Sequence, residues 1–452
     1  MANVQVADTT PTTVSNFKKE RYPELAAAGM SLEQQTAFAR FRLWRILIPV
    51  AIWYSFYYLG RLNWGICLPW ITAELHISPL QVGLVETALF WTYAVSTFGA
   101  GRASDTMGSK NLQLAGGIGT TLFNIGMAIQ LAFTGFISFM GLNGLAQGLA
   151  SAPTTRLIAQ WFPRARRGFA NGVFVTSFST STVIAWLITG YTAAHFGWRE
   201  AFIWPLVIFV LPTSIMLWLL VKDTPQQAGF PAYVEADDGS ASSQAESLTE
   251  EETTGWRAWL TLLKDWRFTL ACLSSFSVYI ARFGLLTWTP LFFAETAGIK
   301  VKDVPIMTVA LPVGMLLGPL TAGWISDNVF NAQRYPMILA YIGGAVAVLL
   351  TIAFVPIQQM GLTWAMVLLF LAGFFVLGVI GTLWTLAIDF GGRKLPGTAV
   401  GTLNFFNYLG AGFQGLLIGS ILQYSDRNWS IVFAVVAGLL AFGALLSYLV
   451  KE

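Results

Sequence analysis

Twelve long apolar segments follow one another along this chain of 452 residues. Each is long enough to cross about 30 Å of hydrocarbon as an α-helix that rises 1.5 Å per residue. We number them spans 1 to 12, and they lie near residues 46–71, 83–104, 111–133, 136–160, 169–193, 200–221, 268–294, 304–326, 335–356, 362–388, 397–424 and 428–450. Charged residues make up 11% of the chain, about half the share in a soluble protein. The sequence therefore predicts an all-α membrane protein with twelve transmembrane helices and excludes a cytosolic enzyme.

A polar stretch divides the spans into two groups of six. Residues 232–255 contain serines, aspartates and a run of three glutamates, with almost no apolar side chain, which is typical of a flexible linker. We expect a cytoplasmic N-terminal segment at 1–45, a six-helix bundle at 46–221, a cytoplasmic linker at 222–267 and a second six-helix bundle at 268–450. Ser31 is a candidate N-cap for a short amphipathic helix that reaches Arg42.

The two groups of six are copies of one unit. The residues after span 2 that recur after span 8, at an offset of 222, are Gly101, Ser104 and Asp105, which match Gly323, Ser326 and Asp327. Arg61 in span 1 recurs as Arg282 in span 7 at an offset of 221. The sequence thus predicts two pseudo-symmetric six-helix bundles.

Basic residues indicate which ends of the spans face the cytoplasm, because cytoplasmic loops retain Lys and Arg. With a cytoplasmic N-terminus, the inner segments carry twenty basic residues and the outer segments carry four: Arg199, Lys300, Lys302 and Arg427. Both termini are therefore expected in the cytoplasm, with the chain in a bacterial inner membrane. The two remaining basic residues, Arg61 and Arg282, lie near the middle of their spans.

An arginine in the middle of a membrane helix costs on the order of 3 kcal/mol to insert. Arg61 and Arg282 could each be neutralised in a structural ion pair, but the acids within or near the spans are few: Glu86, Glu295 and Asp389. Alternatively, both guanidiniums face a central cavity and clamp an anion, for which their planar fork of donors is suited. The sequence favours this second interpretation and a small anionic substrate.

Polar side chains surround both arginines in the sequence. Tyr58 precedes Arg61 by one helical turn and Asn63 follows it by two residues, while Tyr279 precedes Arg282 by three. Residues three or four apart share a helix face, so we expect Tyr58 and Tyr279 to line the cavity; as interface anchors they would instead lie near the membrane surface. Asn63 is a third candidate.

Five short motifs together resemble one protein family. They are YYLGRLN at 57–63, GRASDTMGSK at 101–110, KDTPQQAGFP at 222–231, YIARFG at 279–284 and GWISDNVF at 323–330. With them the chain resembles, over all twelve spans, the major facilitator superfamily, and more narrowly the organophosphate:phosphate antiporters that include bacterial glycerol-3-phosphate and hexose-phosphate transporters. The resemblance implies that Arg61 and Arg282 are the paired substrate-binding arginines.

The chain departs from the glycerol-phosphate members of that family. Ser177 stands where they have a histidine in span 5, Thr97 where they have a lysine in span 2, and Leu62 where they have a second base after the first arginine. The predicted site keeps Ser177 and Thr97 by position but is less positive, which leaves room for a phosphonate, sulfonate or carboxylate. Glu86 is either a proton-coupling group or, as the sequence favours, a wetted residue near a helix end.

The predicted function is secondary transport of a small organic anion by alternating access, with antiport of inorganic phosphate as the mechanism that the resemblance implies. The alternatives are a proton-coupled symporter of a carboxylate or sulfonate, and a transporter-like sugar-phosphate sensor. The sequence has no nucleotide-binding loop, nucleophile elbow or metal-ligand cluster, so no enzyme, cofactor or metal is expected. Basic residues are scattered, which argues against nucleic acid, and one chain already encloses a path, so a monomer is expected.

Residues at the cytoplasmic helix ends and at helix crossings predict the moving parts. Arg102, Asp105 and Asp327 are expected to act in gating, because the two carboxylates can pair with nearby arginines or accept from a facing helix N-terminus. Small residues let helices approach closely. We expect such crossings at Gly168, Gly172, Gly397, Gly401, Gly410, Gly412 and Gly415.

Overall fold

The computed structural model describes Leu25 and residues 29–231, 255–328, 334–391 and 395–450. Helices fill almost all of this part of the chain, which contains no strand. The helices of the first half are Leu32–Phe41, Ile48–Tyr57 and Leu59–Leu75 (span 1), Pro79–Met107 (span 2), Ser109–Ala128 (span 3), Phe133–Gly148 and Ser151–Trp161 (span 4), Arg164–Phe196 (span 5), and Trp198–Pro205 and Leu211–Leu220 (span 6). Short π-helical segments at Arg42–Leu47 and Leu206–Val210 extend spans 1 and 6.

The second half repeats this arrangement. Its helices are Gly255–Lys264, Trp266–Thr296 (span 7), Val304–Thr308 and Ala310–Asn328 (span 8), Arg334–Phe354 (span 9), Ile357–Met360, Leu362–Gly391 (span 10), Pro396–Tyr424 (span 11) and Trp429–Leu449 (span 12). Single turns of 3₁₀-helix lie at Gln226–Ala228 and Val301–Asp303. The described residues thus form twelve long helical segments in the order that the sequence predicts, in a fold that is entirely helical.

Spans 5 to 12 are each long and apolar enough to cross a membrane by themselves. Spans 1 and 4 are interrupted, at Tyr58 and at Leu149–Ala150, so that their component helices are shorter. Spans 2 and 3 are long, at 29 and 20 residues, but carry more polar side chains. Large apolar side chains such as Trp364 and Phe442 are exposed, as expected of a multi-pass protein whose outer surface faces lipid.

Local sequence explains several helix ends. Ser31 caps the first helix in a capping box with Gln34, which confirms the predicted N-cap. Ser78 and Gln81 form the same motif at the start of span 2. Span 2 ends at Gly108, whose φ of +82° is unfavourable for residues with a Cβ.

The predicted linker at 222–267 includes a helix, and its two described ends pack against the bundles. Residues 232–254 lie outside the described part of the chain. On one side of them, Asp223 is buried and accepts a hydrogen bond of 3.0 Å from the backbone N–H of Lys110 at the start of span 3. On the other side, the helix Gly255–Lys264 buries Ala258 and Leu262 against spans 7, 10 and 11. The sequence did not identify this helix, and the boundaries of the linker stay a prediction.

The two halves pack closely at one end of the molecule, which we call the closed end. Three helix pairs cross there: spans 2 and 11 at Gly83 and Gly415, spans 1 and 7 at Gly65, and spans 5 and 8 at Gly190. A methyl group added at Gly65 would lie 2.8 Å from the Cα of Thr287, and one at Gly83 would overlap the Gly415 carbonyl oxygen. Glycine is required at Gly65, Gly83 and Gly415 because backbone meets backbone there, whereas Gly190 leaves room for the ring of Pro305.

The opposite end, which we call the open end, lacks such contacts at the glycines predicted to make them. Added methyl groups at Gly172, Gly397 and Gly401 would meet no described atom within 4 Å. The prediction of close crossings is therefore right for Gly410, Gly412 and Gly415 and wrong for these three glycines in this conformation. The surroundings of Gly168 are not among those that the structure describes. The close crossings between the halves at these glycines therefore lie at the closed end.

Candidate functional site: the arginine cage

Arg61 and Arg282 come together at mid-length of spans 1 and 7, inside one group of aromatic rings. We call this group the arginine cage: the two arginines with Tyr58, Tyr93, Phe178, Tyr279, Phe283 and Tyr408. The arginine side chains are only 2% and 3% exposed. Rings join them, because Tyr58 stacks on Phe178 at 6.4 Å and Tyr279 packs edge-on against Tyr408 at 5.9 Å. Pseudo-symmetric positions in the sequence thus become one site between the halves.

Arg61 is held by hydrogen bonds as well as by rings. Its guanidinium lies 4.2 Å from the Tyr93 ring centre and 4.6 Å from that of Tyr58. One terminal nitrogen donates to the Tyr58 hydroxyl and the other to Gln147 Oε1, both at 3.4 Å, while Nε is buried without a partner. Long bonds to neutral acceptors leave the charge of Arg61 uncompensated.

Arg282 is held by rings. Its guanidinium lies 4.8 Å from the ring centre of Phe283, 5.3 Å from Tyr279 and 5.9 Å from Phe178. Its Nε is buried without a hydrogen-bond partner. Cation–π contacts stabilise a desolvated guanidinium by about 2 kcal/mol. Because the rings cover the face of the guanidinium, its N–H groups can still donate hydrogen bonds in the guanidinium plane.

The ion-pair interpretation of the two arginines fails over the described residues. The carboxylates that pair with arginines there lie elsewhere: Asp105 with Arg156, Glu74 with Arg199, and Glu295 with Arg427. Neither Arg61 nor Arg282 has a carboxylate oxygen within 4.0 Å in the described part of the chain. A structural role alone therefore leaves two buried charges unexplained.

A network of amides behind Arg61 fixes the orientation of Gln147. The Gln147 amide donates to Thr120 Oγ1 at 2.8 Å and to the Tyr57 carbonyl at 3.1 Å, so its oxygen points at Arg61. Asn143 and Asn124 donate to the Gly60 carbonyl at 2.7 Å and 3.1 Å. Asn63 joins this network by a 2.8 Å bond to Asn124. The structure therefore places Asn63 against span 3 and not in the cage.

Ser177 and Thr97 use their hydroxyl groups in helix packing. Ser177 Oγ donates to the Phe174 carbonyl at 2.6 Å within span 5, one residue before Phe178 of the cage. Thr97 Oγ1 donates to the Gly148 carbonyl at 3.5 Å, which joins span 2 to span 4. Neither contacts an arginine of the cage, so their part in binding stays a prediction from position.

Glu86 is buried and not wetted. Its side chain is 2% exposed, and Oε2 has no hydrogen-bond partner. The hydroxyl of Thr287 on span 7 faces its carboxyl group, and the Arg61 charge acts on it. The interpretation of Glu86 as a wetted helix-end residue was wrong, because span 2 begins at Pro79 and the residue lies two turns inside.

The predicted gating residues lie at the open end. Asp105 forms an exposed ion pair with Arg156, at 2.7 Å, between spans 2 and 4 of the same half. The N-terminus of span 3 is capped by Asp223 instead, through Lys110. Arg102 is exposed, and the side chain of Asp327 lies outside the described residues. A gating role for these residues stays a prediction.

The sequence identified neither Phe178 and Phe283, the apolar members of the cage, nor three polar residues of the site: Tyr93, Gln147 and Tyr408. Tyr93 and Tyr408 pack with ring centres 4.2 Å apart, across spans 2 and 11. No charged residue stands near any of the three in the sequence, so no local signal marked them. Tyr93 lies seven residues after Glu86, hence on the same face of span 2, and that spacing was the one available clue.

The fold and the cage define a membrane protein of two pseudo-symmetric halves with a buried cationic site between them. The sequence model of the Major Facilitator Superfamily matches residues 50–415, and the chain belongs to this family. This membership places it among transporters and not among enzymes, and it confirms the fold class that the sequence predicts.

Similar proteins indicate which group within this family the chain resembles. A "Probable hexose phosphate transport protein" of Chlamydia muridarum is 28% identical over 403 residues, which are 86% of this chain and 87% of the relative. The "Membrane sensor protein UhpC" of Salmonella typhimurium is 27% identical over 433 residues, 93% of this chain and 95% of the relative. These relatives confirm the resemblance to the organophosphate:phosphate antiporter group. A bacterial homologue of the lysosomal transporter Spinster, in an inward-facing structure, shares the fold with a TM-score of 0.70 at 16% identity, covering 91% of this chain and 97% of that one.

Proposed function

We propose that this protein is a secondary transporter that moves a small organic anion, an organophosphate or phosphonate, across the membrane in exchange for inorganic phosphate. The observation that carries this proposal is the arginine cage, in which Arg61 and Arg282 are buried without a carboxylate partner among the described residues. Two buried charges cost several kcal/mol together. An anion that bridges them recovers that cost through charge-assisted hydrogen bonds.

The cage lies where a rocking carrier needs its site. One arginine comes from each half, so a bound anion is shared by two bodies that move relative to each other. Anion oxygens would accept from the unpartnered Nε atoms of Arg61 and Arg282 and from the adjoining N–H groups of each fork. Tyr58 and Tyr279 hold the two guanidiniums by their ring faces.

The distribution of basic residues supports an orientation. The open end carries Arg102, Arg156 and Arg166, and the closed end carries Arg199 and Arg427. By the preference of basic loops for the cytoplasm, the open end faces the cytoplasm with both termini, and the protein lies in a bacterial inner membrane. The conformation is then closed to the outside.

The names of two relatives support a phosphorylated substrate for this protein, and one of them also supports a second function, that of a sensor. The Chlamydia muridarum relative is named for hexose phosphate and the Salmonella typhimurium relative is a membrane sensor. A sensor would bind the anion in the cage without moving it. Transport of a carboxylate or sulfonate with a proton is the other alternative, favoured by the burial of Glu86.

Phosphate counterflow tests the proposal. Purified protein is reconstituted in liposomes loaded with inorganic phosphate, and entry of labelled phosphate is followed with and without organic phosphates, phosphonates, sulfonates and carboxylates outside. We expect rapid exchange that competing substrates inhibit. Arg61→Ala and Arg282→Ala should each reduce exchange at least a hundredfold, which corresponds to the 2–3 kcal/mol of a charge-assisted hydrogen bond.

Matched variants make the result specific. Arg45→Ala removes an exposed arginine outside the cage and should exchange at the wild-type rate. Arg282→Lys keeps the charge but loses the planar fork, so a partial loss is expected. Wild-type exchange by folded Arg61→Ala or Arg282→Ala would refute the cage as the binding site. Anion binding without any flux would establish the sensor.

A further inference from the structure

Glu86 lies on the face of span 2 that lines the arginine cage. Phe90 and Tyr93 follow it by four and seven residues, and these spacings place all three on one helix face. Phe90 contacts Phe283 with ring centres 4.4 Å apart, and Tyr93 lies 4.2 Å from the Arg61 guanidinium. Because span 2 begins at the closed end, Glu86 lies between the cage and that end.

The carboxyl group of Glu86 has no ion-pair partner among the described residues. Oε2 is buried without a hydrogen bond, and the groups that act on the side chain among the described residues are the Arg61 guanidinium of span 1 and the Thr287 hydroxyl of span 7. Span 11 presents backbone to this part of span 2, at Gly412 and Gly415. An ionised carboxylate without a close counterion is costly in such surroundings.

The crossing that covers Glu86 must separate when the closed end opens. Gly83 and Thr87 flank Glu86, and both meet span 11: Gly83 contacts Gly415, and Thr87 Oγ1 donates to the Gly412 carbonyl at 2.8 Å. Movement of span 2 away from span 11 therefore brings water to Glu86. The residue is dry in one conformation and wet in the other.

We propose that Glu86 is a proton-binding site that couples the anion to a proton, with the carboxyl group neutral when the closed end is shut and the anion occupies the cage. This inference rests on the proposed exchange of an organic anion for phosphate and adds a proton that moves with the anion. Arg61 links the two ligands. An ionised Glu86 offsets the Arg61 charge and weakens the attraction for an anion, whereas a neutral Glu86 leaves that charge to the substrate. Coupling is reciprocal, so a bound anion also favours the proton on Glu86.

The test is a comparison of phosphate binding by wild-type protein and Glu86→Gln from pH 5.5 to 8.5, measured by calorimetry in nanodiscs. Phosphate changes its own charge over this range, but equally for both proteins, so the ratio of the two dissociation constants isolates Glu86. We expect equal affinities at the acidic end. Towards alkaline pH the wild type should weaken relative to Glu86→Gln, by at most tenfold per pH unit, the limit for one linked proton.

Controls separate a specific effect from a general loss of carboxylate. Glu200→Gln changes an acid at the closed end away from the cage and should keep a constant ratio to the wild type. Glu86→Asp retains a titrating group and should keep the pH dependence. In liposomes, Glu86→Gln should exchange phosphate at equal pH on both sides but lose accumulation driven by an inward proton gradient.

Each outcome decides one question. A constant affinity ratio across the pH range overturns the role of Glu86 and leaves the anion site intact. If Glu86→Gln does not fold, wild-type binding of ethanesulfonate, whose charge is fixed over this range, replaces the ratio, and an affinity independent of pH overturns the inference. Failure of the wild type to bind phosphate or the sulfonate at any pH overturns the proposed function and the proton site together.

Discussion

Gln147 decides how much of Arg61 is available to an anion. Its oxygen accepts from Arg61 while its amide is fixed by Thr120 and Tyr57. In Gln147→Glu a carboxylate would lie at about the 3.4 Å separation of the present contact. We expect this variant to lose anion binding more than tenfold, because its carboxylate neutralises Arg61 in place of the substrate. It also loses the amide that donates to Thr120 and to the Tyr57 carbonyl, so it should be less stable than the wild type. Phosphate binding and thermal unfolding measure the two effects.

Gln147→Leu is the matched variant. It removes the acceptor without adding charge, leaves Thr120 and the Tyr57 carbonyl without a donor, and should lower stability by about 1–3 kcal/mol. Its anion affinity should fall less than that of Gln147→Glu. Wild-type anion affinity in folded Gln147→Glu would show that Arg61 does not contact the substrate.

Glu74 gives the molecule a pH-dependent clamp at the closed end. It lies beyond the predicted end of span 1, and the Trp198 indole and the Arg199 guanidinium donate to its carboxylate at 2.7 Å and 2.6 Å. These hydrogen bonds lower the pKa of Glu74. A lowered pKa means that the stabilisation is complete above the ordinary carboxyl pKa and is lost as pH falls through the lowered one.

Thermal unfolding of wild type and Glu74→Gln tests this. At pH 7 the variant should be less stable by about 0.5–1 kcal/mol, since the pair is half exposed and solvent screens it. The difference should be smaller at acid pH, once the pH has fallen through the lowered pKa of Glu74 and the wild-type carboxyl is protonated as well. An equal difference at both pH values would mean that the charge of Glu74 contributes nothing.

The sequence predicts only part of the site, and the reason differs from residue to residue. Arg61 and Arg282 stand out because a charge in an apolar run is rare, and Tyr58 and Tyr279 follow from helical spacing. Asn63, equally polar and close in sequence, points to span 3 because two residues turn a helix by about 200°. Tyr93 and Tyr408 reach the cage through the relative placement of spans 2 and 11, which no local pattern encodes.

At the scale of elements, the helix Gly255–Lys264 connects the two halves at the open end. Trp259 contacts Phe98 of span 2 with ring centres 5.4 Å apart and Phe405 of span 11 at 6.2 Å. It therefore touches both halves. The sequence predicted the capped helix after Ser31 from its N-cap, but it missed this one because the adjoining acidic run dominated the interpretation.

Trp259→Ala should loosen the open end. Each of the two lost aromatic contacts stabilises the present conformation, in which the helix bridges the halves, by about 0.5–1.5 kcal/mol. If that conformation is the inward-facing one, the variant should shift the carrier towards the outward-facing state and change the rate of phosphate exchange severalfold, with phosphate affinity little affected. Trp266→Ala, an exposed tryptophan just beyond the helix, is the control. Identical exchange rates in both variants would assign Trp259 to packing alone.

At the scale of the whole molecule, the contacts made at the glycines show which end is shut. Gly83 and Gly415 bring two backbones into contact at the closed end, whereas Gly172 and Gly401 meet no described atom within 4 Å near the open end. Packed interfaces of this kind have discrete arrangements. A side chain at one crossing should therefore change the populations of two states instead of deforming either.

Gly83→Ala tests this directly. Its methyl group would overlap the Gly415 carbonyl. Overpacking of about 1–3 kcal/mol would destabilise the closed end and shift the equilibrium towards the other state by about five- to a hundredfold. Spin labels at Tyr191→Cys and Ile306→Cys, exposed positions on spans 5 and 8 at that end, should report a longer distance. Gly401→Ala has room for its methyl group here and should leave the distance unchanged. If Gly83→Ala kept the wild-type distance distribution, the closed end would not be the gate that opens, and alternating access around the cage would need another hinge.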